Sequence, residues 1–187
     1  MSGIRVIAGT ARGRRLNLVP GDSTRPITDR VKENLFNIIG PHIVRASFLD
    51  LFAGTGGVGI EALSRGAAYV RFLDLDRRAI RTIRDNLQLT GLDGAAEVLQ
   101  RDALSVLRNE RDRAFDFIFI APPQYKGMWA ESLRCLDERP GWLEPDGWAI
   151  AQIDPKEEAP LALERLELFD ERMYGNTKLN FYRLKFA

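Results

Sequence analysis

The chain has 187 residues, 45% of them hydrophobic, 9% aromatic and 28% charged, and a formal net charge of +1. That length and apolar content fill one α/β core with a short appendage, and exclude two full domains, a disordered chain and a fibrous repeat. A single cysteine, Cys135, and a single histidine, His42, exclude an intramolecular disulfide, a multi-cysteine zinc or iron–sulfur site and a histidine-built metal centre, so no metal is expected and both residues read as structural.

No apolar run approaches the length of a membrane span, and the opening MSGIRVIAGTARGRR carries charges where a signal peptide needs an apolar stretch. The expectation is a cytoplasmic chain with no membrane partner. The near-neutral total conceals an asymmetry: residues 1 to 45 hold eight basic and three acidic side chains, net +5, which leaves −4 for the remainder. A basic segment on an acidic body points to a polyanionic partner for the segment, with a solvated basic face as the competing reading.

In chain order, IRVIAGTARGRRLNLVP reads as two short strands around a glycine-containing turn, an N-terminal β-hairpin that presents Arg12, Arg14 and Arg15. TRPITDRVKENLFNII then opens a helix, with Thr28 or Asp29 as N-cap and Val31, Leu35, Ile38 and Ile39 as its apolar face. Residues 1–45 are thus expected to form a basic extension and residues 46–187 the main domain.

From residue 46 short apolar runs alternate with helical patterns, the mark of a parallel sheet covered on both faces. Strands are predicted at 47–52, 69–75, 96–101, 115–121 and 147–153, with helices near 57–65, 77–90, 103–110 and 128–138. The C-terminus breaks the rhythm, because LERLELFDERMYG and TKLNFYRLKF are strand-like runs separated only by a turn around Gly175 and Asn176. That is a hairpin. A mostly parallel seven-stranded sheet ending in an antiparallel hairpin is the Rossmann-like class I methyltransferase form of the α/β class, rather than the usual finish of a dinucleotide-binding domain.

The first core strand leads into DLFAGTGGVGIEALSRG, where Gly54, Gly56 and Gly59 match G-x-G-x-x-G and Asp74 follows 20 residues after Gly54. Taken literally this is a nicotinamide-binding fingerprint, and an NAD(P)-dependent oxidoreductase is the reading it supports. Asp50, at the strand end before the loop, argues otherwise. A pyrophosphate on the following helix N-terminus would be repelled by a carboxylate there, whereas the cationic ammonium and sulfonium of S-adenosyl-L-methionine would be attracted. The cofactor candidates are therefore Asp50, Phe52, Ala53, Gly54, Thr55 and Gly56 on the loop, Asp74 for the ribose hydroxyls with Asp76 as its alternative, and Asp102 for the adenine amino group. Each aspartate alone reads more readily as a helix N-cap; three at successive strand ends lie along the edge where open α/β sheets bind ligands.

The fourth strand runs into IAPPQYKGMW, and a Pro-Pro pair cannot continue a central strand. This segment resembles the D/N-P-P-Y motif of amino-group methyltransferases, in which the acidic or amide side chain and the following carbonyl accept the two N–H groups of the target amine while the aromatic ring stacks on the base. The whole chain resembles the RsmD family of bacterial methyltransferases acting on the N2 of a guanine in small-subunit (16S) ribosomal RNA. The stretches that carry the likeness are IAGTARGRRL, TRPITDRVKENLFN, FLDLFAGTGGVGIEALSRGA, APPQY and MYGNTKLNFYRL. The resemblance implies ribosomal RNA, free or in an assembling small subunit, as partner. It also implies that Arg25, Thr28, Asp29 and Arg30 line the approach of RNA and cofactor.

Within the expected catalytic segment Ala121, Pro122, Pro123, Gln124 and Tyr125, two residues depart from the motif. Ala121 stands at the acidic or amide position and cannot accept a hydrogen bond; Gln124 stands at the aromatic position, with Tyr125 one place late. Loss of such a positioning group costs on the order of 10²-fold in rate if nothing replaces it. Gln124 is the candidate replacement acceptor, and Tyr125 or Trp129 the candidate stacking ring. A non-catalytic RNA-binding protein is the other reading of Ala121, but it sits poorly with an intact set of Asp50, Gly54, Gly56, Asp74 and Asp102. Trp142 and Trp148 read as packing residues, and Glu61 as a residue favouring the first turns of its helix.

Overall fold

A computed structural model describes residues 4–21, 26–109 and 111–186. Helix α1 (Asp29–Ile39) starts where Thr28, in extended conformation, accepts the Val31 N–H at 3.3 Å. Five strands and four helices then alternate: β1 (Ser47–Asp50), α2 (Gly57–Ser64), β2 (Tyr69–Asp74), α3 (Arg77–Thr90), β3 (Ala96–Gln100), α4 (Ala103–Arg108), β4 (Phe115–Ile120), α5 (Met128–Glu138) and β5 (Leu143–Ile153). The chain ends in the hairpin β6 (Leu166–Tyr174) and β7 (Thr177–Leu184). No helix among the described residues is long and apolar enough to cross a membrane.

All seven strands form one sheet in the order β3-β2-β1-β4-β5-β7-β6. β1 to β5 run parallel, and β7 is antiparallel to both β5 and β6. Residues alternate between two cores, as strands buried on both faces require. Phe48, Phe72, Phe117, Phe119, Ile150 and Phe181 pack with α1, α2 and α3 on one face. Leu49, Leu73, Ile118, Ile120 and Ala151 pack with α4 and α5 on the other. Gly59 sets how closely α2 approaches the sheet, because a Cβ there would lie 2.2 Å from the Phe72 ring.

The predicted order of elements holds, and the differences have local causes. β1 stops at Asp50, and α4 stops at Arg108 with Asn109 extended. β5 starts four residues earlier than expected, across a register shift opposite Phe115 and Phe117. Trp129, a candidate for stacking on a base, is 3% exposed in the second core and is not available to a substrate.

The N-terminal hairpin does not form as a ladder of strands. Residues 4–16 turn back on themselves through an isolated antiparallel bridge between Arg5 and Arg15, with backbone hydrogen bonds from the Val6 N–H to the Arg14 carbonyl, the Gly13 N–H to the Val6 carbonyl and the Leu16 N–H to the Ile4 carbonyl. Beyond Val6 the backbone is held by α2. The Glu61 carboxylate, 0% exposed, accepts the N–H groups of Ile7 and Ala8 at 2.9 and 3.0 Å, so those donors are taken by a side chain and not by a partner strand. Ser64 continues the clasp: its Oγ accepts the Ala11 N–H and donates to the Ala8 carbonyl, and its own carbonyl accepts the Thr10 N–H. Arg65 Nε at 2.8 Å and Lys32 Nζ at 3.6 Å compensate the buried charge, and Lys32 Nζ also donates to the Arg5 carbonyl at 2.5 Å. Burial lowers the Lys32 pKa, against the opposing pull of Glu61.

Removing one partner of such a buried cluster leaves uncompensated charge and orphaned backbone donors. Glu61→Ala is expected to reduce the unfolding free energy by about 3 to 5 kcal/mol in denaturant titrations and to expose the 5–16 segment to proteolysis. Wild-type stability with a protected segment would show that the clasp is not held by this carboxylate.

Candidate active site

The carboxyl ends of β1, β2, β4 and β5 open into one cavity of about 930 Å³. Its wall contains Asp50, Phe52, Ala53, Gly54 and Thr55 from the β1–α2 connection and Asp74 and Asp76 beyond β2. Asp102 comes from the start of α4, and Ala121, Pro122, Pro123 and Gln124 from the segment after β4. Ile4, Pro26, Ile27 and Lys32 reach the same space from the N-terminal part. Gly56 and Tyr125, also expected here, do not line the cavity. Gly56 turns the loop instead, at φ 79° with its N–H donated to the Ala53 carbonyl at 2.7 Å.

The glycine loop is fixed by two side chains. Asp74 accepts the Gly54 N–H through Oδ2 at 2.8 Å and the Asp76 N–H through Oδ1 at 2.9 Å. Asn86, fully buried on α3, donates to the Thr55 carbonyl at 2.9 Å. The same Asn86 side chain exchanges hydrogen bonds with the backbone of Asn17, tying the loop to the N-terminal segment. Gly54 itself adopts φ 56°, and a Cβ placed on it would meet no protein atom within 4 Å. The backbone there faces free volume, as a cradle for a closely approaching ligand requires.

Asp50 is 2% exposed and accepts the Gly59 N–H through Oδ2 at 3.2 Å. Burial raises its pKa to about 7, partly opposed by the Gly59 hydrogen bond and reinforced by the charge of Asp74. A carboxylate in this condition favours a cation, and it sits against the first turn of α2, where a phosphate would otherwise settle. These observations fit S-adenosylmethionine: Asp50 and Asp74 supply negative potential, and the Gly54 backbone supplies close approach. Asp76 and Asp102 cap their helices, accepting the Arg78 N–H at 2.8 Å and the Ser105 N–H at 2.8 Å, while remaining in the cavity wall. Arg78 holds the Asp76 carboxyl below its usual range.

After β4 the backbone departs at the two prolines. Tyr125 follows in the left-handed region at φ 61°, 64% exposed. Its hydroxyl donates to Asp154 Oδ2 at 2.6 Å and its N–H to Glu157, so the ring is anchored on the turn after β5. Of the basic candidates, Arg12, Arg14, Arg15 and Arg30 are all exposed and outside the cavity wall, and Arg25 lies outside the described residues. Sequence reasoning missed Ser64 and Asn86, and read Glu61 only as a residue favouring the first turns of its helix, whereas its buried carboxylate holds the N-terminal backbone. Their partners are 31 to 69 residues away, and no local pattern announces such bonds.

A family profile described as Conserved hypothetical protein 95 matches residues 4–183. The chain is 42% identical over 182 residues to the Bacillus subtilis protein YlbH, covering 96% of this chain and 98% of that one. It is 36% identical over 183 residues to Ribosomal RNA small subunit methyltransferase D of Haemophilus influenzae, covering 96% and 93%, and 34% identical over 180 residues to its Escherichia coli K12 counterpart, covering 96% and 89%. The Escherichia coli protein yhhF superposes with a TM-score of 0.85 at 33% identity, over 98% of this chain and 99% of that one. An RNA methyltransferase from Salinibacter ruber, solved with S-adenosyl-L-homocysteine, shares the fold at a TM-score of 0.64 and 15% identity, over 84% and 92%. Sheet order, cavity and relatives define a class I S-adenosylmethionine-dependent methyltransferase, and the oxidoreductase reading of the glycine fingerprint falls away. Within that class, the chain belongs to the RsmD family.

The raised pKa of Asp50 fixes the sign of two effects. The folded protein binds a proton here between about pH 4 and pH 7 that the unfolded chain releases, so this group's contribution to stability falls as pH rises through that window. Asp50→Asn is therefore expected to stabilise the ligand-free protein at pH 8 by roughly 2 to 4 kcal/mol and to give no gain below about pH 4. A bound cation favours the ionised carboxylate, so wild-type affinity for the methyl donor should rise between about pH 6 and pH 7.5. Calorimetry and thermal unfolding of both proteins check this, and an Asp50→Asn protein that keeps the wild-type pH dependence would remove Asp50 from the donor site.

Proposed function

We propose that the protein transfers a methyl group from S-adenosylmethionine to the exocyclic N2 amine of a guanine in 16S ribosomal RNA. The observation that carries this reading is the single cavity that joins the glycine loop, Asp50 and Asp74 to the Ala121–Gln124 backbone, so that donor and amine meet in one space. Bound donor supplies an electrophilic methyl carbon on a sulfonium. The protein's part is to hold the amine so that its lone pair faces that carbon. Nitrogen forms the new bond as the carbon–sulfur bond breaks, the electron pair goes to sulfur, and the alkylated nitrogen releases one proton to water.

Asp50 provides the negative field for the donor's cationic groups, Asp74 the acceptors near the ribose, and Asp102 an acceptor for the adenine amino group. Phe52, Ala53, Thr55 and Gly56 shape the loop around them. The segment 121–125 presents the amine-binding backbone, because Pro122 and Pro123 have no N–H and leave only carbonyl acceptors there.

The division between residues 1–45 and 46–187 is one of labour. The first part gathers RNA and the second performs the chemistry. Arg12, Arg14, Arg15 and Arg30 are solvent-facing cations suited to phosphates, Arg25 joins them by position in the sequence, and Pro26 and Ile27 carry the segment to the cavity mouth. The setting is cytoplasmic, where ribosomal RNA is met free or in an assembling small subunit.

Incubating the protein with radiolabelled methyl donor and 16S RNA from cells lacking the enzyme, followed by nucleoside analysis, is expected to yield N2-methylguanosine. RNA binding without label in any nucleoside would make it a non-catalytic RNA-binding protein. Replacing Arg12, Arg14 and Arg15 together by Gln should weaken RNA binding and flatten its log–log salt dependence by about one unit per lost phosphate contact, with methyl-donor affinity unchanged. Unaltered RNA affinity would reduce the basic turn to a solvated surface.

A further inference from the structure

Ala121 leaves the amine pocket without a side-chain acceptor, and the neighbouring strand supplies one. In the parallel register of β4 and β5, Ile120 pairs with Ala151, so the next residues, Ala121 and Gln152, stand side by side. Both follow residues of the first core, Phe119 and Ile150, at a spacing of two, and Ala121 packs on that core. Both line the cavity. The Gln152 Oε1 atom is buried and has no hydrogen-bond partner among the described residues. A buried acceptor without a partner disfavours the folded state, and a half-turn of the amide, which exchanges its oxygen and nitrogen, brings the acceptor to the cavity that Gln152 lines. Gln124, which also reaches the wall, is exposed, so water already serves its amide.

We infer that Gln152 is the residue that holds the target amine: its Oε1 accepts one N–H of the exocyclic amino group, and the backbone acceptors of residues 121–123 take the other. This rests on the methyl-transfer reading above. The methyl side chain of Ala121 leaves room for the amide to act from β5, one strand away from the position used in the D/N-P-P-Y pattern. An amide oxygen is a neutral acceptor and not a base, so the residue orients the lone pair and takes no proton; the proton released after transfer goes to water. Orientation of this kind strengthens towards the transition state, so its loss appears in the chemical step more than in binding.

The experiment is single-turnover methyl transfer to 16S RNA, with RNA affinity, methyl-donor affinity and thermal unfolding measured on the same preparations. Gln152→Met keeps the side-chain length and removes the acceptor. It is expected to slow transfer by about 10- to 100-fold, more than Gln124→Ala does, with both affinities within about threefold of wild type. Its melting temperature should be unchanged or higher, because an unsatisfied buried acceptor has been removed. Gln152→Glu keeps an acceptor and should retain most of the rate, but with a new dependence on pH as its carboxyl ionises. Adding Ala121→Asp to Gln152→Met should restore part of the lost rate by returning an acceptor to the pocket. Wild-type single-turnover rates in Gln152→Met would overturn the assignment while leaving the methyl-transfer reading intact. A lowered melting temperature with loss of both affinities would mark Gln152 as structural and overturn it too. A wild-type protein inert towards ribosomal RNA would instead overturn the methyl-transfer reading, and the inference with it.

Discussion

The buried Glu61 carboxylate is the charged centre of the contacts that join the N-terminal part to the sheet domain. It lies on α2, the helix that follows the glycine loop, and it accepts two backbone N–H groups from residues 7 and 8 while Lys32 and Arg65 balance its charge. Two consequences follow for the site. The extension is fixed to the helix that starts at the donor loop, so Ile4 and Lys32 stand in the cavity wall in a set position. The surface arginines of the turn are likewise carried on a backbone that α2 holds, and not on a free arm. Asn86 repeats the logic from α3 by bonding Asn17 and Thr55 with one side chain.

The cavity concentrates unmet electrostatic demand. Asp50 is buried with its pKa near 7, Asp74 lies close enough to raise it, and Gln152 keeps an open acceptor a few strands away. Both Asp50, by burial of its charge, and Gln152, by an acceptor without a partner, disfavour the ligand-free fold. Stability is surrendered where function requires negative potential and acceptors, a pattern common to sites that bind cations. Asp137, away from the cavity, is fully engaged: it accepts three backbone N–H groups, from Glu164, Arg165 and Leu166, which fixes the entry into β6.

The Ala121–Tyr125 segment shows how a motif can change its letters without losing its place. The Pro-Pro pair still takes the chain out of the sheet at the cavity, but Tyr125 is drawn away by Asp154 and Glu157 and does not face the pocket. What replaces an absent side chain need not come from the same segment, since adjacent parallel strands end side by side. Register, not sequence proximity, decides which residue stands next to Ala121.

Sequence alone determined the alternating α/β order, the terminal hairpin, a capped start of α1 at Thr28 or Asp29, and the glycine loop with its preceding aspartate. These depend on periodicity, turn chemistry and residues within one or two turns of each other, all of which are local. Tertiary structure decided the rest. The expected N-terminal hairpin is reduced to an isolated bridge, and the backbone beyond it is clasped by a carboxylate 54 residues away. Trp129 looked available for stacking until the packing of α5 buried it. Gln152 carried no signal at all, because its meaning comes from a neighbour 31 positions earlier that only the pairing of β4 with β5 brings alongside. Long-range hydrogen bonds and strand register are set by how elements pack, and a linear pattern of residue types does not encode which distant donor will meet which acceptor.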